Sequence, residues 1–184
     1  MRKPLIAVML ALALAGVIGP ATATAAPSHD APAAAASSQA AAVLRSVTLY
    51  WHSGRADNAT CGSAACASDQ RVSGYTYIRN EGLSYDSHVA GTVPLRLYYS
   101  AERGDNVLCG TTACAHDQIV TGGYRFVRIE GYVYPTRQPG TVPLQLYYSP
   151  SRGDNVTCGT AACVHDQIVT GGYRLVRTEG WVFP

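Results

Sequence analysis

The sequence predicts an all-β domain made of three repeats of about 49 residues, and this pattern favours a β-trefoil with pseudo-threefold symmetry. The first observation is a polar, cysteine-bearing segment that occurs three times, beginning at Arg55, Arg103 and Arg152. The second is the presence of short β-forming runs, such as 93–100 and 124–135, bounded by Gly and Pro turns. The third is that no segment has long helical periodicity. A β-prism and a short β-solenoid are the alternatives.

The repeats span residues 47–95, 96–144 and 145–184, and each should hold three to four short strands. Gly131 is expected to split the run 124–135 into two strands, because glycine weakens a strand interior. The segment 112–123 is expected to form one short helical turn that ends at Gly122. Closing three such units around an axis would also protect the edge strands.

Residues 1–25 have the pattern of a secretory signal peptide, because Arg2 and Lys3 precede a short apolar run and an Ala23-Thr24-Ala25 cleavage site. Residues 26–46 are rich in Ala, Pro and Ser, as in a flexible linker. We therefore predict an extracellular protein that is not inserted in a membrane once the signal is removed. The arginines and acidic residues that remain are equal in number, so no basic field favours nucleic acid as a partner.

Each repeat carries a C-x4-C motif, and the local pairs would be Cys61/Cys66, Cys109/Cys114 and Cys158/Cys163. Six cysteines allow fifteen pairings, but a repeated motif favours the local one. A disulfide needs Cα atoms about 4.4–6.8 Å apart, so local pairing requires a tight loop. Zinc is the competing interpretation, since a histidine follows the motif in the second and third repeats, but export and the three-ligand count favour disulfides. No metal or other cofactor is expected.

The pattern LYYSxxRGDN…GYxxVRxEGYVxP, which residues 49–184 repeat, resembles repeats of unassigned function in secreted actinobacterial proteins, some of them joined to hydrolases. The resemblance also extends to β-trefoil lectins at the level of architecture. It implies secretion but no particular reaction. In the related repeats the cysteine positions are often Thr or Ala, which implies that the cysteines are an addition to the unit.

An Asp-Asn pair precedes the cysteines in every repeat, and an aromatic residue occupies an equivalent place upstream. Short Asp and Asn side chains can bind paired sugar hydroxyls, while an aromatic ring stacks on the apolar face of a sugar. A structural role is the alternative, since Asp and Asn also close turns. The predicted ligand-binding residues are Asp57, Asn58, Asp105, Asn106, Asp154, Asn155, Trp51, Tyr99 and Tyr148.

An R-x-E pair recurs on a predicted strand of each repeat, where its two members share a face. We interpret the pairs as structural ion pairs that connect neighbouring repeats. They are Arg79/Glu81, Arg128/Glu130 and Arg177/Glu179. The Asp-Gln dipeptides at 69–70, 117–118 and 166–167 are expected to brace the cysteine loops.

No catalytic residues are predicted. The adjacent residues His116 and Asp117 look like parts of a dyad, but the first repeat has no histidine there and no known catalytic motif is present. The leading prediction is a secreted, non-catalytic, lectin-like module that binds glycans or cell-wall polysaccharide at repeated shallow sites. The alternatives are a secreted protein-binding or protease-inhibitory domain, which would use the divergent loop 80–92, and a structural surface protein.

Overall fold

The computed structural model describes residues 41–184, where each repeat folds into three antiparallel strands and one helix. The predicted signal peptide and most of the predicted linker lie outside the described residues. The elements are β1 (Leu44–His52), β2 (Asp57–Cys61), α1 (Ala64–Val72), β3 (Thr76–Tyr85), β4 (Val93–Ser100), β5 (Asp105–Cys109), α2 (Thr112–Val120), β6 (Arg125–Val133), β7 (Val142–Ser149), β8 (Asp154–Cys158), α3 (Ala161–His165), a π-helical turn (Asp166–Thr170) and β9 (Arg174–Val182).

The strands form two antiparallel sheets, and residues 41–184 contain no closed barrel. One sheet has the order β2-β1-β3-β6-β4-β5 and the other has the order β8-β7-β9. In every repeat the first strand pairs with both of the others, in the same register. Two isolated bridges, Leu83 with Phe183 and Tyr134 with Trp181, bring the last strand to the first two repeats. The all-β class is confirmed.

The core lies where the three repeats meet. Val47, Leu95 and Leu144 occupy the same position in β1, β4 and β7, and none of them is accessible to solvent. They pack in one cluster with Val133 and Val182 from the ends of β6 and β9. Each repeat contributes only part of this cluster, so the apolar surface of one repeat is buried by the other two.

Two local expectations are corrected by the structure. β6 runs unbroken through Gly131, where a Cβ atom would lie only 2.6 Å from the Ser84 hydroxyl oxygen. Glycine there permits close approach of another repeat, so it does not interrupt the strand. The expected single helical turn is longer, since α2 has nine residues and its N-cap, Thr111, accepts a hydrogen bond from the Cys114 N–H.

The three local disulfides predicted from the C-x4-C motif are confirmed. Their Cα atoms lie 5.5, 5.4 and 5.5 Å apart, within the range that a disulfide requires. Disulfides persist in oxidising compartments, and these three indicate that the domain belongs in one. The bonded pairs are Cys61 with Cys66, Cys109 with Cys114, and Cys158 with Cys163.

The second cysteine of each pair lies in a helix, which corrects the expectation that the whole motif forms a tight loop. The first cysteine ends a strand, and the second is the third residue of the helix that follows. The physical reason is the N-cap residue between them, whose side chain accepts a hydrogen bond from the N–H of the second cysteine and so starts the helix there. Each bond therefore fixes a sharp change of direction from strand to helix. The helical cysteines are Cys66 in α1, Cys114 in α2 and Cys163 in α3.

The helices that carry these cysteines are short. None of the helices described for residues 41–184 is long and apolar enough to cross a membrane.

Replacing Cys109 and Cys114 together by alanine should lower the free energy of unfolding by roughly 2 kcal/mol, because the bond closes a six-residue loop in the unfolded chain. Urea denaturation followed by circular dichroism would measure the change. Reducing agent should further destabilise this variant through its two remaining disulfides. An unchanged midpoint for the double variant in the absence of reductant would contradict the expectation.

Candidate functional site: three grooves between the repeats

The β-hairpin register places an aromatic residue opposite the asparagine in every repeat. Trp51 pairs with Asn58, Tyr99 with Asn106, and Tyr148 with Asn155. The next pair along each hairpin contains the aspartate, opposite His52, Ser100 or Ser149. Because side chains alternate along a strand, the aspartate and the asparagine point to opposite faces of the hairpin.

The aspartates point inward and the three asparagines are buried as well, which corrects the expectation that each Asp-Asn pair presents both side chains to a ligand. Asp57, Asp105 and Asp154 are 7%, 2% and 3% exposed. One oxygen from each carboxylate lies within 4.8 Å of the others at the junction of β2, β5 and β8. The physical reason is that each carboxylate accepts a hydrogen bond from a buried tyrosine hydroxyl of its own repeat. The pairs are Tyr75–Asp57, Tyr124–Asp105 and Tyr173–Asp154.

This cluster, which we call the axial carboxylates, retains protons at neutral pH. Burial, together with the smaller effect of neighbouring carboxylate charge, raises the pKa of Asp154 to about 9 and that of Asp105 to about 7. Burial also raises the pKa of Asp57. The cluster is the one group of His, Cys, Asp or Glu side chains in residues 41–184 whose spacing suits a metal ion. The carboxylates already accept hydrogen bonds from the tyrosine and asparagine side chains. This arrangement indicates a structural network in which the carboxylates share protons.

Two of the asparagines connect neighbouring repeats beneath the surface. The Asn58 side-chain N–H groups donate to Asp154 at 3.0 Å and to Tyr173 at 2.9 Å, and those of Asn155 make the equivalent bonds to Asp105 and Tyr124. Both amide hydrogens of each are therefore used, so only the amide oxygen remains for a ligand. These bonds connect different repeats. The structural alternative considered from the sequence had predicted bonds within a single turn.

The R-x-E residues bind the helix of a different repeat. Arg79 lies 3.9 Å from Glu81 and also forms an ion pair with Asp166 of the third repeat. The same arrangement links β6 to the first repeat through Arg128 and Asp69, and β9 to the second through Arg177 and Asp117. The Asp of each Asp-Gln dipeptide therefore forms an ion pair with an arginine of another repeat.

The glutamate of each R-x-E pair is fully buried against the start of the same helix. Glu179 accepts hydrogen bonds from the Gly110 and Thr111 N–H groups at 3.0 Å each and from the Thr111 hydroxyl at 2.9 Å. Glu81 makes the same bonds to Gly159 and Thr160. At Gly110 a Cβ atom would overlap the carbonyl oxygen of Glu179, so glycine after the first cysteine is required for this contact between repeats.

An open groove lies at each boundary between repeats, next to the arginine–aspartate ion pairs described above. The three grooves are lined by equivalent residues. Their volumes are about 270, 240 and 240 Å³. Each combines an aromatic ring, an asparagine, an aliphatic side chain and an arginine from one repeat with an arginine, an Asp and a Gln from its neighbour. The first groove contains Trp51, Asn58, Ile78, Arg79, Arg152, Asp166 and Gln167. The second contains Tyr148, Asn155, Val176, Arg177, Arg103, Asp117 and Gln118. The third contains Tyr99, Asn106, Val127, Arg128, Arg55, Asp69 and Gln70.

A guanidinium group overhangs each groove from the hairpin turn of the neighbouring repeat. Arg152 lies 5.8 Å from the Trp51 ring centroid and 5.6 Å from that of Tyr173. Arg103 lies 5.8 Å from Tyr124, and Arg55 lies 6.0 Å from Tyr75. In the two Arg-Gly-Asp copies the turn needs a left-handed residue, which Gly104 and Gly153 supply with φ of +70° and +68°.

Sequence reasoning included the aromatic and asparagine residues of the grooves but missed the turn arginines, the glutamines and the buried tyrosines. A signal for the tyrosines was present, because Tyr75, Tyr124 and Tyr173 follow a glycine at the same place in each repeat. The turn arginines also recur, as the first residue of the repeated polar segment, but their place at a neighbouring repeat's groove depends on how one repeat packs against the next.

Comparison of the chain with protein-family models, with curated proteins and with solved structures finds no match in any of the three. The resemblance to secreted actinobacterial repeats therefore stays a prediction. The grooves must be interpreted from their own chemistry.

Proposed function

We propose that the protein is a secreted, non-catalytic carbohydrate-binding module whose three sites are the grooves between the repeats. We also propose that its architecture is a β-trefoil with pseudo-threefold symmetry, supported by the shared register of the repeats and by their equivalent contacts. The observation that carries the functional proposal is the presence of three grooves with the same set of side chains. One such groove is common on a protein surface, whereas three matched grooves indicate a repeated site.

The chemistry of each groove suits a sugar ring. A sugar has an apolar face that stacks on an aromatic ring and a rim of hydroxyl groups that exchange hydrogen bonds. Trp51, Tyr99 and Tyr148 provide the rings, and the neighbouring Asn, Gln and Arg side chains provide acceptors and donors. The grooves are shallow, so single sites should be weak and three sites should gain avidity on a polymer such as a cell-wall polysaccharide.

The non-catalytic part of the proposal is supported by the state of the acidic groups that line the grooves. The groove carboxylates of Asp69, Asp117 and Asp166 are paired with arginines. These ion pairs hold the pKa of Asp117 and of Asp166 below the usual range, which opposes a role as a general acid. The histidine beside Asp117 is exposed, lies 3.6 Å from that carboxylate and is not part of the groove lining.

The alternative of a protease-inhibitory loop finds less support. The loop 80–92 was its candidate because the first repeat departs there from the others in sequence. The structure corrects the bounds of this loop, because residues 80–85 belong to β3. Thr92 and Val89 close the remaining part with the same pair of hydrogen bonds that Thr141 and Gln138 make in the second repeat. The base of the loop therefore has the same conformation in the first and second repeats, which favours a structural role for the loop.

Replacing the three groove aromatics together, Trp51→Ala, Tyr99→Ala and Tyr148→Ala, should lower binding to insoluble polysaccharide at least tenfold, because each change removes a stacking surface. The measurement is a pull-down of the oxidised protein with a panel of insoluble polysaccharides, beside a glycan array. Quenching of tryptophan fluorescence that is lost in Trp51→Ala would report the first groove, because Trp181 is the second tryptophan of the sequence.

The matched control is the triple variant Tyr77→Ala, Phe126→Ala and Leu175→Ala. These side chains occupy one equivalent position in the three repeats, are 54%, 52% and 53% exposed, and do not line a groove. Binding should survive in this variant. Equal loss in both folded variants would contradict placement in the grooves, and the absence of binding by the wild type to every glycan would contradict the function.

A further inference from the structure

We propose that the ligand of the grooves is an acidic glycan, and that a carboxylate or another anionic group on the sugar is bound by the turn arginines, Arg55, Arg103 and Arg152. This inference rests on the proposed function, because it names the chemical class of the sugar for the same three sites. It comes from the different surroundings of the two arginines in each groove.

One arginine of each groove already has its charge compensated. Arg79 lies between Asp166 and the buried Glu81, and Arg128 and Arg177 have the same two kinds of partner. Such an arginine is held in place by protein carboxylates, and a ligand anion would have to displace one of them. These three side chains therefore shape the groove without supplying a free positive charge.

The turn arginine has no such compensation. Within residues 41–184, neither Arg55, Arg103 nor Arg152 forms an ion pair with an Asp or Glu side chain. Each instead lies against a tyrosine ring, and Arg152 also lies against Trp51. A guanidinium group beside a ring keeps N–H donors in its own plane, where a carboxylate can accept two of them.

The position of this charge matches the position of the aromatic platform. In the first groove the Arg152 guanidinium lies 5.8 Å from the centroid of the Trp51 ring. A sugar stacked on Trp51 would place a ring substituent within reach of Arg152. In the other two grooves the turn arginine and the aromatic residue line the same groove, Arg103 with Tyr148 and Arg55 with Tyr99.

The charge of the whole domain cannot produce this preference. After residue 25 the sequence has equal numbers of arginine and acidic side chains and no lysine. General attraction of polyanions needs a net positive field, which this composition does not supply. Binding of an acidic polymer would therefore reflect local charges, and the grooves hold three of them at equivalent positions.

The test compares two forms of one polymer, polygalacturonate and its methyl ester, which differ in the charge of the carboxyl group. We expect the acid form to bind at least tenfold more tightly than the ester, as fits the loss of a charge-assisted hydrogen bond. The triple variant Arg55→Gln, Arg103→Gln and Arg152→Gln should bring the two affinities to within about twofold of each other. Dextran and dextran sulfate, measured in parallel, distinguish a sulfate from a carboxylate as the anionic group.

The control variant carries Arg71→Gln, Arg125→Gln and Arg174→Gln, which remove the same charge from exposed arginines outside the grooves. It should keep the preference for the acid form. If the wild type binds neutral and acidic polymers equally, or if the control variant loses the preference as the groove variant does, the inference is overturned while the carbohydrate-binding function stands. If no glycan of either class binds, both are overturned.

Discussion

Glu179→Ala should lower the free energy of unfolding by about 3–5 kcal/mol, because it leaves three hydrogen-bond donors unsatisfied at a cost of about 1–3 kcal/mol for each buried one. The side chain is 0% exposed and accepts three hydrogen bonds from Gly110 and Thr111 at the start of α2. Alanine would leave two backbone N–H groups and one hydroxyl without their acceptor, and it would remove the second carboxylate beside Arg177. Urea denaturation at pH 7 would measure the loss.

Two further variants make this prediction specific. Glu179→Gln keeps an oxygen that can accept the same bonds, so it should cost less than Glu179→Ala. Glu102→Ala removes an exposed carboxylate from a hairpin turn and should change stability by less than about 0.5 kcal/mol. If Glu179→Ala were as stable as Glu102→Ala, the contact between β9 and α2 would have no energetic importance.

Stability should fall as the pH rises from about 4.5 to about 9, because the folded protein holds protons that the unfolded chain releases. In the unfolded chain an Asp ionises near pH 3.9, whereas in the folded protein the pKa of Asp105 is raised to about 7 and that of Asp154 to about 9. A raised pKa stabilises the folded state below the unfolded value, and this stabilisation is lost as the pH rises through the folded value. Each retained proton contributes a slope of about 1.4 kcal/mol per pH unit.

Other groups set the limits of this pH window. Burial raises the pKa of Glu81, Glu130 and Glu179 as well, so they add to the same trend. Hydrogen-bonded arginines lower the pKa of Asp117 and of Asp166. The stability that these two carboxylates contribute to the fold is therefore lost as the pH falls below about 4. Urea denaturation at pH 4.5, 6, 8 and 9, with a chelator present to exclude divalent cations, would trace the profile.

Asp154→Asn is the variant that tests the origin of the slope. The side-chain oxygen of an asparagine can still accept the bonds from Asn58 and Tyr173, and its amide is uncharged at every pH, like the protonated carboxyl group that it replaces. The variant should therefore be more stable than the wild type at pH 9, with a shallower dependence on pH. A wild type whose stability rises between pH 6 and 9 would contradict the assignment of shared protons to the axial carboxylates.

The sequence was sufficient to predict the features that depend on local pattern. Three repeats, the all-β class and the local disulfides all follow from spacing and alternation. The length of the helices was missed because each has only nine residues or fewer and includes the second cysteine, which was expected in a loop. Ser63, Thr111 and Thr160, each three residues before that cysteine, were N-cap signals that could have revealed them.

The direction of the Asp-Asn pairs could not be predicted in the same way. Adjacent residues on a strand face opposite sides, but which side is the interior depends on how the repeats pack. Asp105 is drawn inward by Tyr124 and by Asn155 of another repeat, nineteen and fifty positions away. The R-x-E contacts likewise join residues 59 or more positions apart, such as Arg128 and Asp69.

The buried glutamate of each repeat binds the start of a helix in another repeat. The first repeat binds the third in this way, the third binds the second, and the second binds the first. In a linear repeat array the end units have one neighbour and can unfold separately. Here every unit both supplies a buried glutamate and receives one, so no unit is an end. Unfolding any one of them opens two boundaries at once and dismantles two of the three grooves. We therefore expect a single cooperative transition in which the three grooves and the folded structure disappear together, with no partly folded form that keeps one intact groove.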